Sequence, residues 1–335
     1  MTSQLGLFGQ PPEPAGGSRR RRPLEPADVD ATTRALAESL PRRVRLGTSS
    51  WSFPGWEGLV WARGDRPPAQ ARLAREGLAV YARHPLLRAV GVDRTFYGPV
   101  PEETFARWAG DVPEDFRFLV KAPRSVLEPR TFDGAVNPTF LDADRLLSEL
   151  VGPAERSLGP RLGVVLLQVP PLPLRSPRDA DDAIDRLATF LTQVRERTAA
   201  PTAVELRNRQ MLEADHAPRY RDALAAAGMS HCHAVHPSMP PVTRQWTMLP
   251  PEPAVPGPVV VRWMLHAGQT YESARQRYAP FDRLVDPDPA SRAAIADIAR
   301  SSPARDVIVI ANNKAEGSSP LTLARLAEAI AAGGT

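Results

Sequence analysis

Apolar residues in this chain gather into eight short runs separated by polar and Pro-rich stretches. The runs are Arg45–Trp51, Ala89–Tyr97, Phe116–Arg124, Leu162–Pro171, Thr202–Arg207, Ser230–His236, Val259–His266 and Asp306–Asn313. Several lack alternation, Leu162–Leu167 and Val307–Ala311 most clearly. Continuous apolar runs of this length predict parallel strands covered on both faces. Between the runs the spacing becomes helical. Ala143, Leu146, Leu147, Leu150 and Val151 share one helix face, as do Ile184, Leu187, Ala188 and Leu191, and then Leu323, Leu326, Ala327 and Ile330. Ser319–Pro320 supplies an N-cap and a first-turn Pro for the last of these. Pro237–Pro258 has no helical pattern and reads as a Pro-rich loop.

Strands alternating with helices over residues 44–335 predict an α/β fold, a TIM-like (β/α)8 barrel. The alternative is an open doubly wound sheet. No G-x-G-x-x-G follows the first run, which counts against a dinucleotide fold. Residues 1–43 read as a disordered, flexible tail. Positions 9–30 are rich in Pro, Gly, Arg and Ala, with Arg19–Arg22 in a row, and form the linker. Residues 31–40 allow one short helix, and order is expected from about Arg45.

Composition narrows the class. The lone cysteine, Cys232, excludes an internal disulfide and fits a reducing cytoplasm. No apolar run has membrane-spanning length, so no membrane partner is expected. The net charge of +4 divides evenly, because the tail's seven Arg and five acids leave +2 for the barrel. That is too little for a duplex-binding face. Of the 42 basic residues only Lys121 and Lys314 are Lys. In so Arg-rich a chain, a Lys marks a place needing a compact amine.

Both lysines close an apolar run, and barrel chemistry sits at the C-terminal ends of strands. Alternation places Asp93 and Thr95 on one face of strand two, Glu205 and Arg207 on one face of strand five, and Arg262, Met264 and His266 on one face of strand seven. Lys121 and Arg124 end strand three, Gln168 ends strand four, and Asn312, Asn313 and Lys314 close strand eight. Glu205 has two readings, a catalytic carboxylate or a buried ion pair with Arg207 or Arg262. The Asn312–Ser319 loop runs straight into a helix N-terminus, where amides and Lys314 can hold an anion.

His231, Cys232, His233 and His236 suggest zinc, but alternation splits them between two faces. A looser divalent-metal site would draw His236 or His233 together with Asp93, Glu205 and His266. Trp51, Phe53 and Trp56 form either an aromatic wall over the first strand end or a loop plug.

Several segments carry a resemblance. They are Leu46-Gly47-Thr48-Ser49-Ser50-Trp51-Ser52-Phe53-Pro54-Gly55-Trp56, Thr95-Phe96-Tyr97, Val120-Lys121-Ala122-Pro123-Arg124, Gln168-Val169-Pro170-Pro171, Val204-Glu205-Leu206-Arg207, Arg262–His266 and Asn312-Asn313. Together, over about residues 44–330, they resemble the domain-of-unknown-function 72 family, the YecE-like proteins. The resemblance implies a barrel related to the TIM type and implies no reaction. The chain departs from the family pattern at Gly91 and Asp93, where Glu and Asn are usual, and at Lys314, where a shorter polar residue is usual.

In the tail, Gln4-Leu5-Gly6-Leu7-Phe8 looks like the peptide by which bacterial repair and replication proteins dock on the DNA sliding clamp. Gln4 supplies the amide, while Leu5, Leu7 and Phe8 supply the apolar anchors. The functional expectation is a hydrolase or phosphate-handling enzyme of nucleic-acid metabolism. Lys121, Arg124 and Lys314 hold anionic groups, Gln168, Arg207, Arg262, Asn312 and Asn313 line the substrate site, Glu205 with Asp93 is base or metal ligand, and His266 is acid or ligand. The alternatives are a non-catalytic ligand-binding or partner-docking module, and a metabolic enzyme for a phosphorylated small molecule.

A labelled peptide of residues 1–12 is expected to bind bacterial sliding clamp saturably in fluorescence anisotropy, and Phe8→Ala to abolish the binding. Equal signals from the two peptides would remove the clamp reading.

Overall fold

Eight parallel strands close into one barrel in sequence order, β8 pairing with β1. They are β1 (Val44–Thr48), β2 (Leu87–Val92), β3 (Arg117–Lys121), β4 (Leu162–Gln168), β5 (Thr202–Glu205), β6 (Ser230–Val235), β7 (Val259–Trp263) and β8 (Val307–Ala311). The computed structural model describes residues 23–333.

Alternation along each strand sorts the side chains. Ala89, Leu119, Val164, Leu166, Ala203, Cys232, Val260, Ile308 and Ile310 form a closed cluster inside the barrel. The residues between them, such as Val90, Val120, Val165 and Val309, join the larger core under the surrounding helices. Burying each such aliphatic side chain contributes roughly 1.5–3 kcal/mol, so register is strongly specified on both faces. The inward series continues two residues on, to Lys121 after Leu119, Gln168 after Leu166, Glu205 after Ala203, Arg262 after Val260 and Asn312 after Ile310. The apolar plug therefore carries a polar layer at its C-terminal end.

Each expected strand is present, but several end early. β2 stops at Val92, and Arg94–Tyr97 is a helical turn, so Asp93 and Thr95 share no strand face. Thr95 Oγ1 instead lies within hydrogen-bond reach of the carbonyls of Lys121 (2.6 Å) and Val92 (3.0 Å). β7 stops at Trp263, which leaves Met264 and His266 in the following loop. The Pro237–Pro258 stretch is not all loop. It holds a helix, Val242–Met248, whose Gln245 is fully buried against the carbonyls of Ala234 (2.8 Å) and Pro240 (2.7 Å). Those tertiary bonds fix a helix too short to show in the pattern.

The last helix, Ser319–Ala332, is capped from outside. Its N-cap residue is Ser318, whose side chain makes no capping bond. Asn313 Oδ1 accepts from the Ser319 amide and hydroxyl, both at 2.8 Å.

Ahead of Arg45, parts of residues 23–43 contact the barrel. Ala27 N–H donates to the Val60 carbonyl (3.0 Å), Ala62 N–H donates to the Glu25 carbonyl (2.9 Å), and Leu24 and Leu36 lie against the outer core. The short helix expected at 31–40 runs Ala31–Ser39, with Asp30 capping the Thr33 amide. Residues 1–22, including Gln4, Leu5, Leu7 and Phe8, lie outside the described residues. Among the described residues, no helix is long and apolar enough to cross a membrane.

Gly47 packs against the backbone of β2, and a Cβ there would sit 2.1 Å from the Ala89 carbonyl oxygen. Gly47→Ala should therefore lower stability by about 3 kcal/mol through forced backbone shift. Urea unfolding checks this, and an unchanged midpoint would contradict the close approach.

Candidate functional site

The polar layer is organised around Glu205, fully buried at the end of β5. Arg262 Nη1 donates to Glu205 Oε2 at 2.6 Å and to Gln168 Oε1 at 3.0 Å. Arg207 pairs with the other carboxylate oxygen, and the Cys232 thiol points at Oε2 from 3.7 Å. Burial alone would raise the Glu205 pKa, but Arg207 and Arg262 together outweigh it and hold the carboxyl down to about 2. Of the two readings left open for Glu205, the structure supplies the ion pair, with both arginines at once. The same surroundings push the Cys232 thiol well up, burial first and Glu205 second.

Lys121 closes β3 beside this cluster and is 8% exposed. Its Nζ sits 3.7 Å from the centroid of the Phe96 ring and, among the described residues, makes no hydrogen bond or ion pair. Burial lowers its pKa to about 8, with Asp93 pulling it up and Arg262 pushing it further down. Asp93 is half-buried. Its backbone carbonyl caps the Phe96 amide at 3.1 Å, while its carboxylate has no hydrogen bond or ion pair among the described residues and acts on Lys121 and Arg262 through space. Arg207 Nη1 and Arg262 Nε are likewise buried donors without acceptors. A buried donor left unmade costs roughly 1–3 kcal/mol, more when charged.

The strand-eight loop is turned to structural use. Asn312 Nδ2 donates to Ser49 Oγ (2.8 Å) and its Oδ1 accepts the Lys314 amide (3.0 Å). Asn313 Oδ1 also accepts from Trp56 Nε1 (3.1 Å), so Trp56 plugs the loop rather than forming an open wall. The Ser319 amide, expected to help hold an anion, is already taken. Lys314 is buried, its Nζ 3.9 Å from the Tyr271 ring centroid and 5.6 Å from that of Phe281. Arg124 pairs with Glu128 (2.9 Å) over the Phe132 ring.

His266 is not brought to Glu205. Its Nδ1 lies 2.7 Å from the Ala267 carbonyl and its amide donates to the Lys314 carbonyl. His231 and His233 face outward from β6. His231 contacts Tyr220 and Gln245, and His233 packs on Trp246. Among the described residues no three His, Cys, Asp or Glu side chains are grouped to hold a metal ion. The histidine near the cluster is His236, whose Nδ1 accepts from the Ser238 amide (3.1 Å). Burial, then Arg207, lowers its pKa to about 4, so it stays neutral at pH 7. The sequence pattern suggests it only as a metal ligand, although it follows Cys232 in the inward series. The rings beneath the two lysines, Phe96 and Tyr271, carry no site role in the sequence pattern; an aromatic residue in the connection after a strand is the signal that marks them.

A family model described as a protein of unknown function, DUF72, matches residues 45–334. A DUF72 family protein from Enterococcus faecalis V583 superposes with a TM-score of 0.59 at 19% identity, covering 86% of this chain and 95% of its own. One from Thermotoga maritima MSB8 superposes with a TM-score of 0.54 at 18% identity, covering 85% and 97%. At these identities the likeness is one of fold. No curated protein matches the chain.

Glu205→Gln leaves two buried guanidiniums short of a countercharge and should destabilise by about 4 kcal/mol. The pH dependence has a defined sign. The folded pKa of about 2 lies below the ordinary 4.5, so the contribution is complete above pH 4.5 and disappears as pH falls toward 2. Thermal unfolding from pH 2 to 7 should show wild type losing its advantage over Glu205→Gln across that window. A constant gap would contradict the assignment.

Proposed function

This chain belongs to the DUF72 family, and from that premise we propose an enzyme that hydrolyses a phosphate ester of nucleic-acid metabolism at the C-terminal mouth of its barrel. One observation carries the reading: Arg207 Nη1 is a buried cationic donor without an acceptor, and Lys121, a buried side chain in the same cluster, has no hydrogen bond or ion pair at its Nζ among the described residues. An anionic substrate completes them. Buried phosphate and carboxylate sites are built in this way, from charged donors fixed before the ligand arrives.

The roles follow from the environments. Glu205, held to about 2, is a poor base at neutral pH and serves as the anchor that fixes Arg207 and Arg262. Asp93 is the free carboxylate and takes the proton from the attacking water. Lys121, with a pKa of about 8, is mostly protonated at pH 7 and gives its proton to the leaving oxygen. The water oxygen bonds to phosphorus as the bond to the leaving oxygen breaks, and solvent later returns a proton from Asp93 to Lys121. Gln168 steers Arg262, and His236 lines the mouth as a neutral acceptor. Recruitment to the sliding clamp through Gln4, Leu5, Leu7 and Phe8 belongs to the same proposal and rests on sequence alone.

Phosphate release from a panel of nucleotides and aryl phosphates is the assay. Asp93→Asn and Lys121→Met should each lower kcat about 100-fold or more. The wild-type rate should fall above pH 8 as Lys121 loses its proton. Because burial disfavours the Lys121 charge, Lys121→Met should not lower the melting temperature at pH 7. Wild-type rates in both variants would sink the roles of Asp93 and Lys121. Stabilisation by pyrophosphate without turnover of any ester would instead identify a non-catalytic ligand-binding module.

A further inference from the structure

Among the described residues the exposed large apolar side chains are Tyr97 (76% exposed), Phe132 (93%), Val136 (76%) and Tyr271 (64%). All four stand on the connections that follow strands, Tyr97 at the end of the helical turn after β2, Phe132 and Val136 on the loop after β3, and Tyr271 at the start of the helix Tyr271–Tyr278 after β7, the end of the barrel that holds the mouth. Large apolar side chains gathered at one end of a molecule mark a contact surface. Cations accompany the rings. Arg124 lies over Phe132 with its guanidinium carbon 5.9 Å from the ring centroid, Lys314 Nζ is 3.9 Å from Tyr271, and Lys121 Nζ lies against Phe96, whose ring meets that of Tyr97 edge-on at 5.3 Å. Both lysines of the chain are thus spent on aromatic rings at this end.

We propose that the rim is a stacking platform for unpaired bases, and that the ligand of the mouth is single-stranded nucleic acid. This rests on the reading of the mouth as a phosphate-ester site and names its substrate class. Bases stack on Tyr97, Phe132 and Tyr271 while phosphates meet Lys121, Arg124 and Arg207. Alternating aromatic rings and cations is how single strands are held without sequence preference. A duplex hides the faces of its bases, and holding one by its backbone alone takes many phosphate contacts. The barrel's share of the charge, only +2, does not supply them. Stacking needs fewer cations, so this surface fits a strand of a few nucleotides.

The test is anisotropy of labelled 12-nucleotide oligothymidylate, oligouridylate and a 12-base-pair duplex with the full chain, beside Tyr97→Ala, Phe132→Ala and Tyr271→Ala. These side chains are exposed, so the variants should fold. A single strand should bind at least tenfold tighter than the duplex, and each substitution should weaken it about tenfold. The tighter of the two single strands identifies the sugar. Equal binding of duplex and single strand, or affinity unchanged in all three variants, overturns the proposal. No saturable binding to either strand also overturns it and leaves the rings to a protein partner. A parallel melting experiment with pyrophosphate separates the two levels. Stabilisation by pyrophosphate with ring-independent oligonucleotide binding removes the platform alone, and no stabilisation removes the anion site beneath it.

Discussion

A carboxylate held between two guanidiniums inside a closed barrel governs what the mouth can do. Glu205 has no access to water, and its two oxygens are divided between Arg207 and Arg262. Taking these charges out of water is costly, and their mutual attraction together with the bond to Gln168 offsets it. The arrangement is unbalanced by one charge. Two arginines and Lys121 face Glu205 and Asp93, so the mouth keeps a net positive sign although the barrel as a whole is close to neutral. A low-dielectric wall strengthens that excess for any anion that enters.

Much of this was legible because parallel strands covered on both faces leave continuous apolar runs, and because alternation then fixes which residue points inward. Ala203 predicts Glu205, and Val260 predicts Arg262, with no structure needed. Strand ends were not legible. Hydrophobicity does not register the point where Thr95 turns back to the Lys121 carbonyl, so alternation puts Asp93 and Thr95 on a face they do not share. Alternation extends strand seven to His266 for the same reason. The cap on the last helix comes from Asn313 through a tertiary bond, and local capping rules assign it to the neighbouring serine. The Val242–Met248 helix depends on Gln245 reaching Ala234 and Pro240, which no local pattern records.

The two lysines illustrate both the strength and the limit of reading composition. Their rarity pointed to the mouth, where both lie. Composition did not reveal that each rests on an aromatic ring, or that their surroundings differ. Lys121 faces Asp93 and the arginine cluster, whereas Lys314 is held between Tyr271 and Phe281 by a loop whose Asn312 and Asn313 amide oxygens are engaged in holding its own fold.

The shared carboxylate also constrains how such a barrel can change over generations. A substitution at Glu205 strands two guanidiniums, and a substitution at either arginine unbalances the carboxylate. Each single step passes through a less stable protein, so drift at these three positions is blocked unless they change together. Lineages that retain one should retain all three, and a lineage that abandons the glutamate should be found with smaller or apolar residues at both arginine positions. The triplet is then inherited as a block, whatever the surrounding loops come to recognise.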